Sequence, residues 1–396
     1  MVGGDRRVPV GTLNSGRGEF PTVFPRIDYV DWVLPRIEAA RHDLGSSDLH
    51  PDGPPDRTSV VPSRLADRET PDRTVRSFVA EEYGVPTERV LVTAGTSSAN
   101  LLAAAAALGP PEELTDGGAD GSPMSVLVEK PGYEPHVASP RGLGANVDRF
   151  LRPPETDHDV DPERIEAALR PGTRLVTVSN RHNPSGRRVD RETLAECAAV
   201  AREHDARLLV DEVYAPYGRR AVERDGHAFG APTAAGLDGA VATGSLTKFF
   251  GFGSLRIGWL IADEEFVDRA REAAVHLSDV ARPSRLLARR ALAAGPELGD
   301  TARERCTRNH DLLASFLAEH DRLTGTTFEG CPYAFVEHEA EDVDGDDIAE
   351  AAEEAGVLVV PGRFFGAPSG VRVALGRPPG QVEAALAAFG ESVAGL

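Results

Sequence analysis

Lysine is almost absent from this chain: in 396 residues it stands only at positions 130 and 248, so 41 of the 43 basic residues are arginine. Cysteine is nearly as scarce. Cys197, Cys306 and Cys331 are far apart and odd in number, which excludes a disulfide framework and a zinc-ligand spacing and leaves free thiols in a reducing compartment as the expectation. Positive charge is in deficit overall. With 63 acidic residues and a formal charge of -20, the chain lacks the clustered basic surface of a nucleic-acid or anionic-membrane binder. An acidic surplus with little lysine is similar to the composition of proteins from salt-loving microbes, whose hydrated carboxylate surfaces stay soluble when salt screens charge. There is no run of about eighteen apolar residues of the kind that spans a bilayer. Arg6, Arg7, Arg17 and Arg26 interrupt the first thirty positions without an apolar signal core between them. The expectation is a cytoplasmic protein without metal.

What is present suits one large domain with a smaller companion: a hydrophobic content of 41% in a chain of this length. Tyr29, Val30, Trp32, Val33, Ile37 and Ala40 recur at helical spacing. Residues 46–72 are rich in proline and charge and read as a long loop, a length reserved for function or for contact with another chain. From Thr74 onward strands and helices alternate. Strands are predicted at 89–93, 125–129, 173–179, 207–210, 240–243 and 257–261, with helices at 74–83, from 99 onward, at 162–169 and at 191–204. That alternation predicts an α/β fold, a mostly parallel sheet covered by helices on both faces. Polar residues gather at the carboxyl ends of these strands, where open sheets bind ligands. Beyond residue 265 come helical patterns to 320, then a strand at 334–337, a helix at 348–355 and strands at 357–360 and 371–374. This reads as a separate α+β unit.

Two stretches carry chemistry by themselves. Gly95-Thr96-Ser97 follows a strand and opens a helix, so free amides and the helix dipole point at the turn; it is either an anion site or a plain N-cap. Lys248 sits in Ser245-Leu246-Thr247-Lys248, an apolar, glycine-punctuated stretch. Arginine supplies charge and hydrogen bonds but cannot act as an amine nucleophile toward a carbonyl. Lys248 is therefore a candidate for Schiff-base chemistry, the alternative being an ordinary surface lysine. Gly251-Phe252-Gly253-Ser254-Leu255-Arg256 begins like a dinucleotide fingerprint but has arginine at the third glycine position and follows a lysine instead of a strand, so a nicotinamide site is rejected.

Taken together, Gly95-Thr96-Ser97, Pro131-Gly132-Tyr133, His182-Asn183-Pro184-Ser185-Gly186, Asp211-Glu212-Val213-Tyr214, Ser245-Leu246-Thr247-Lys248 with Arg256, and Val371-Arg372-Val373 stand in the order of one family. From about Arg76 to Gly376 the sequence resembles the class I/II aminotransferases. The resemblance implies fold type I, with a mostly parallel seven-stranded sheet and a smaller α+β domain. It implies an arm and helix over 1–45, a large domain over 46–275 and a small domain over 276–396. It also implies pyridoxal 5′-phosphate covalent to Lys248, used in a ping-pong aldimine mechanism that moves an amino group between an amino acid and a 2-oxo acid.

In that resemblance Asp211 partners the ring nitrogen, Tyr214 and Asn183 the ring 3-oxygen, and Tyr133 the ring face. Gly95, Thr96, Ser97, Ser245 and Arg256 serve the phosphate, Arg372 with Asn183 the substrate carboxylate, and Lys248, Asp211 and Tyr214 the catalysis. A homodimer is implied as well. The chain departs from the family in 63–71, which lacks the tyrosine that reaches a neighbouring subunit's phosphate; Arg64 and Arg68 are the candidate substitutes there. It also departs near Gly45-Ser46-Ser47. These departures keep open a lyase or cyclising synthase on the same fold. A non-catalytic regulator is disfavoured, because the arm before Asp28 is too short for a DNA-binding domain.

Overall fold

The computed structural model describes residues 24–50, 59–109, 123–217 and 232–396. Most of the expected N-terminal arm and part of the proline-rich loop lie outside the described residues. Thirteen strands are described: β1 His42–Asp43, β2 Val90–Thr93, β3 Ser125–Lys130, β4 Asn146–Leu151, β5 Thr173–Ser179, β6 Arg207–Asp211, β7 Ala240–Ser245, β8 Gly258–Ile261, β9 Leu323–Thr326, β10 Tyr333–His338, β11 Val357–Leu358, β12 Val360–Pro361 and β13 Gly370–Ala374.

Seven of them form one sheet in the order β2-β8-β7-β6-β5-β3-β4. Only β8 runs against its neighbours; the other pairs are parallel. The mostly parallel seven-stranded sheet expected of fold type I is therefore what the chain builds. Successive side chains of a strand point to opposite faces, and both faces here are buried. Leu208 and Val210 of β6 enter a core with Val176, Phe249 and Trp259. Leu209, between them, enters a second core with Leu175, Val241 and Leu260. Helix Thr96–Leu108 lies in that second core through Ala99, Leu102 and Ala103.

A four-stranded antiparallel sheet, β12-β13-β10-β9, packs with helices Gly345–Glu354 and Pro379–Val393 around Val336, Val371, Ile348 and Phe389. Helix Asp28–Ala39 lies against this part through Val33, which meets Leu358, Val360 and Phe365. The single strand expected at 357–360 is two short ones. Val357–Leu358 pairs with β1 and Val360–Pro361 with β13, so the chain changes sheets and ends its ladder at a proline that has no amide to donate. Helix Arg282–Ala293 joins the core of the large sheet through Leu287 and Ala291, whereas Leu313 and Phe316 of helix Gly295–Glu319 join the other core.

Between the two sheets runs a short strap, Leu44 to His50. Its main chain bonds to the end of β13 (Ala374 N to Leu44 O, 2.7 Å; His50 N to Gly376 O, 2.9 Å) and to the large-sheet side (Leu49 N to Lys248 O, 2.9 Å). Gly376 allows this approach, since a Cβ there would stand 2.2 Å from the Asp48 carbonyl oxygen. No helix among the described residues is long and apolar enough to cross a membrane.

Candidate active site

The parallel strands end together. Register pairs Ser179 with Asp211 and Asp211 with Thr243, so the polar residues that close β5 and β6 line up with Thr243 of β7 along one sheet edge. Asp211 is buried there. Its Oδ2 accepts a hydrogen bond from Asn100 Nδ2 at 2.8 Å and lies 3.0 Å from His136 Nε2, while its Oδ1 accepts the Val213 amide at 3.1 Å. Asn100 is in turn fixed by the Thr243 hydroxyl, which donates to its Oδ1 at 2.7 Å. A carboxylate held this way keeps its orientation and presents charge to a cation in front of it.

Opposite this edge is the first turn of helix Thr96–Leu108. Thr96 Oγ1 is buried without a hydrogen-bond partner among the described residues, an orphan that an incoming acceptor or donor would satisfy. Gly95 has φ +89°, and a Cβ added there would lie 3.2 Å from Arg256 Nη2. The guanidinium of Arg256 thus sits over the free amides of the turn, an arrangement suited to an anion such as a phosphate. Ser245 Oγ accepts the Thr247 amide at 3.2 Å beside it.

Lys248 stands between these two ends. Burial works against its charge, but the oxygens of Tyr214, Asp48, Tyr29 and Tyr133 outweigh it and hold the ammonium above the ordinary lysine range. Asp48 Oδ1 lies 3.7 Å from Lys248 Nζ. The Tyr214 and Ser47 hydroxyls share a hydrogen bond of 2.7 Å. The Tyr133 ring meets the His136 ring edge-on at 5.4 Å, and burial pushes the Tyr133 phenol up, so it stays neutral. Arg372 is the remaining cation. It is 1% exposed and donates to Asn183 Oδ1 at 3.0 Å, the Gly45 carbonyl at 2.9 Å and the Tyr29 hydroxyl at 3.2 Å, with its Nε unpartnered.

One cavity of about 410 Å³ is lined by Thr96, Ser97, Tyr133, Asn183, Asp211, Tyr214, Ser245, Lys248, Arg256 and Arg372. Gly95 is the one predicted site residue outside that lining. A larger cavity of about 750 Å³, lined by Arg76, Thr93, Arg271 and Arg285 among others, contains none of them. Convergence of polar groups, and not volume, marks the site. Sequence reasoning missed His136, Asn100 and Asp48. His136 was hidden in a helix, Pro135–Gly142, that opens on one proline and contains another; Asn100 lies one turn beyond Thr96, a spacing that puts both on one helix face. Arg64 donates to the Phe250 carbonyl at 2.6 Å and Arg68 pairs with Glu297 at 2.7 Å. Neither lines the cavity of its own chain. Among the described residues no group of three His, Cys, Asp or Glu is placed to hold a metal ion.

The model of the family described as aminotransferase class I and II matches residues 72–389. Among relatives, the capreomycidine synthase of Streptomyces vinaceus is 27% identical over 97% of this chain and 96% of its own. The histidinol-phosphate aminotransferase of Halorubrum lacusprofundi is 27% identical over 89% of each. The aspartate/prephenate aminotransferase of Thermus thermophilus is 26% identical over 80% of each. The fold is that of a PLP-dependent aminotransferase from Streptococcus suis, with a TM-score of 0.78 at 23% identity over 93% of this chain and 98% of that one.

Proposed function

The chain belongs to the class I and II aminotransferases, whose cofactor is pyridoxal 5′-phosphate carried on a lysine, and on that premise we propose that it moves an amino group between an amino acid and a 2-oxo acid. The observation that carries this reading is the convergence on one cavity of a half-buried amine, Lys248, with the Asp211 carboxylate and the Arg372 guanidinium. The residues present fit the cofactor: the orphaned Thr96 hydroxyl and the Gly95–Arg256 cradle suit its phosphate.

When bound, the cofactor supplies a protonated ring that withdraws electrons from the carbon bearing the amino group. Asp211, fixed by Asn100 and His136, holds the proton on the ring nitrogen. Tyr214 and Asn183 would donate to the ring oxygen, and the Tyr133 ring would lie against one face. Arg372 grips the substrate carboxylate with its planar fork, which turns the substrate's α-hydrogen toward Lys248. The Lys248 amine would take that proton from Cα and deliver it to the carbon on the far side of the amino nitrogen.

The test is a screen of amino donors against 2-oxoglutarate and pyruvate, followed at the cofactor's absorbance. Product that forms only when a 2-oxo acid is supplied supports transfer. A chain that binds no pyridoxal phosphate refutes the reading. A second reading, a lyase or cyclising synthase on the same fold, is supported by the near full-length match to capreomycidine synthase. It is separated from the first by product released without any acceptor.

A further inference from the structure

Four of the charged groups around the cavity have counterparts if the proposed function holds. Asp211 faces the ring nitrogen, Arg256 the phosphate, Arg372 the α-carboxylate, and Lys248 carries the cofactor. Asp48 is left over. Its place is fixed, because it belongs to the strap that is bonded on one side to the end of Arg372's strand and on the other to the Lys248 carbonyl. Burial alone would raise the Asp48 pKa, but Lys248 first, then His50, a backbone hydrogen bond and Arg377, overcome it and keep the carboxylate ionised.

In the free chain its cation is Lys248, at 3.7 Å. Once the Lys248 nitrogen is committed to the cofactor, the cations left near Asp48 among the described residues are His50 and Arg377. His50, 3.4 Å away, has its pKa lowered by burial, which disfavours its charged form near neutrality. Arg377 is committed to Asp43, with its Nε donating at 3.0 Å. A part-buried carboxylate whose remaining neighbours are an imidazole that burial keeps largely neutral and a guanidinium already held by another carboxylate favours a cation on whatever enters. The same cavity is lined by Val30, Val33, Leu34 and Ile37 of helix Asp28–Ala39, an apolar wall for an aliphatic stem.

We propose that Asp48 is a specificity-determining residue that selects an amino donor with a cationic nitrogen on an aliphatic side chain and rejects donors with a second carboxylate or a phosphate. The inference rests on the aminotransferase-family reading of the site and names its substrate class.

The test uses the cofactor-loaded full chain and two pairs of donors that differ chiefly in charge, arginine against citrulline and ornithine against norvaline. For each, kcat/KM of the cofactor's spectral change is measured. The expected result is a preference for the cationic member of at least one pair by about tenfold or more, the size of one charge-assisted contact. Asp48→Asn brings that ratio to about one, carried mainly in KM, and Asp48→Glu preserves it. If Asp48→Asn does not load the cofactor, Asp48→Ser replaces it. The inference is overturned if wild type shows no charge preference in either pair, if glutamate outruns both cationic donors, or if the neutral variant keeps the wild-type ratio. A wild-type chain that forms no cofactor band overturns the proposed function, and this inference with it. A cofactor band without charge preference overturns the inference alone.

Discussion

Arg372 Nη1 donates to Asn183 Oδ1 at 3.0 Å across 189 residues of chain, joining the second sheet to the loop that follows β5. The contact orients both groups before any substrate arrives. Arg372→Ala removes the guanidinium and leaves Asn183 without this donor. The expected loss in kcat/KM is about a hundredfold, the cost of truncating one partner of a buried, hydrogen-bonded charge pair. Arg372→Lys recovers only part of it, since a lysine cannot form the fork. Steady-state kinetics with KM and kcat separated check this.

Lys248→Ala should abolish the covalent cofactor band and lower turnover by at least about a thousandfold, because nucleophile and proton carrier are lost in one substitution. Lys130→Ala is the control, as the exposed end of β3, and should leave both unchanged. Absorbance spectra and single-turnover rates distinguish the two variants.

His136→Phe keeps a ring in the helix but takes one of the two side-chain partners from Asp211. Turnover is expected to fall about tenfold, the order of one hydrogen bond to a charged group. Cofactor affinity, measured by titration of the same band, should change less than turnover.

Gly95→Ala adds a Cβ where φ is +89° and only 3.2 Å from Arg256 Nη2. Backbone strain of this kind costs on the order of 1–3 kcal/mol, so weaker cofactor binding by about tenfold or more is expected, with kcat at saturating cofactor nearly retained.

Glu212 is buried beside Asp211, and burial raises its pKa from 4.5 to about 7 despite hydrogen bonds from the Ala234 amide and the Thr233 hydroxyl. The folded pKa exceeds the unfolded one, so the folded chain binds more protons between these values. This group's contribution to stability is therefore full below about pH 4.5 and is lost as pH rises toward 7. Glu212→Gln removes the ionisation. The variant's unfolding free energy relative to wild type should climb from pH 5 to pH 8, by up to about 3 kcal/mol; a difference that does not vary with pH would falsify the assignment.

Legibility from sequence followed burial and punctuation. Strands such as β5, buried on both faces at Leu175, Val176 and Val178, are continuous apolar runs that read plainly. β4 lies at the sheet edge with Phe150 as its one fully buried residue, so its pattern of half-exposed polar residues gave no period to read. At the site, residues in local motifs such as Asn183, Asp211 and Lys248 could be singled out. Asn100 and Asp48 could not: one is 111 residues from the Asp211 it orients and the other reaches Lys248 only through the folded strap, separations that no local pattern encodes.

The strap from Leu44 to His50 also bears on how a substrate would be measured. Its backbone is bonded both to the strand that carries Arg372 and to the carbonyl of Lys248, so the spacing between guanidinium and amine is a property of the empty chain. It works as a fixed gauge: a molecule must already have its carboxylate and amino-bearing carbon at the right separation, and the ordering entropy that a closing site would lose on binding is lost at folding instead.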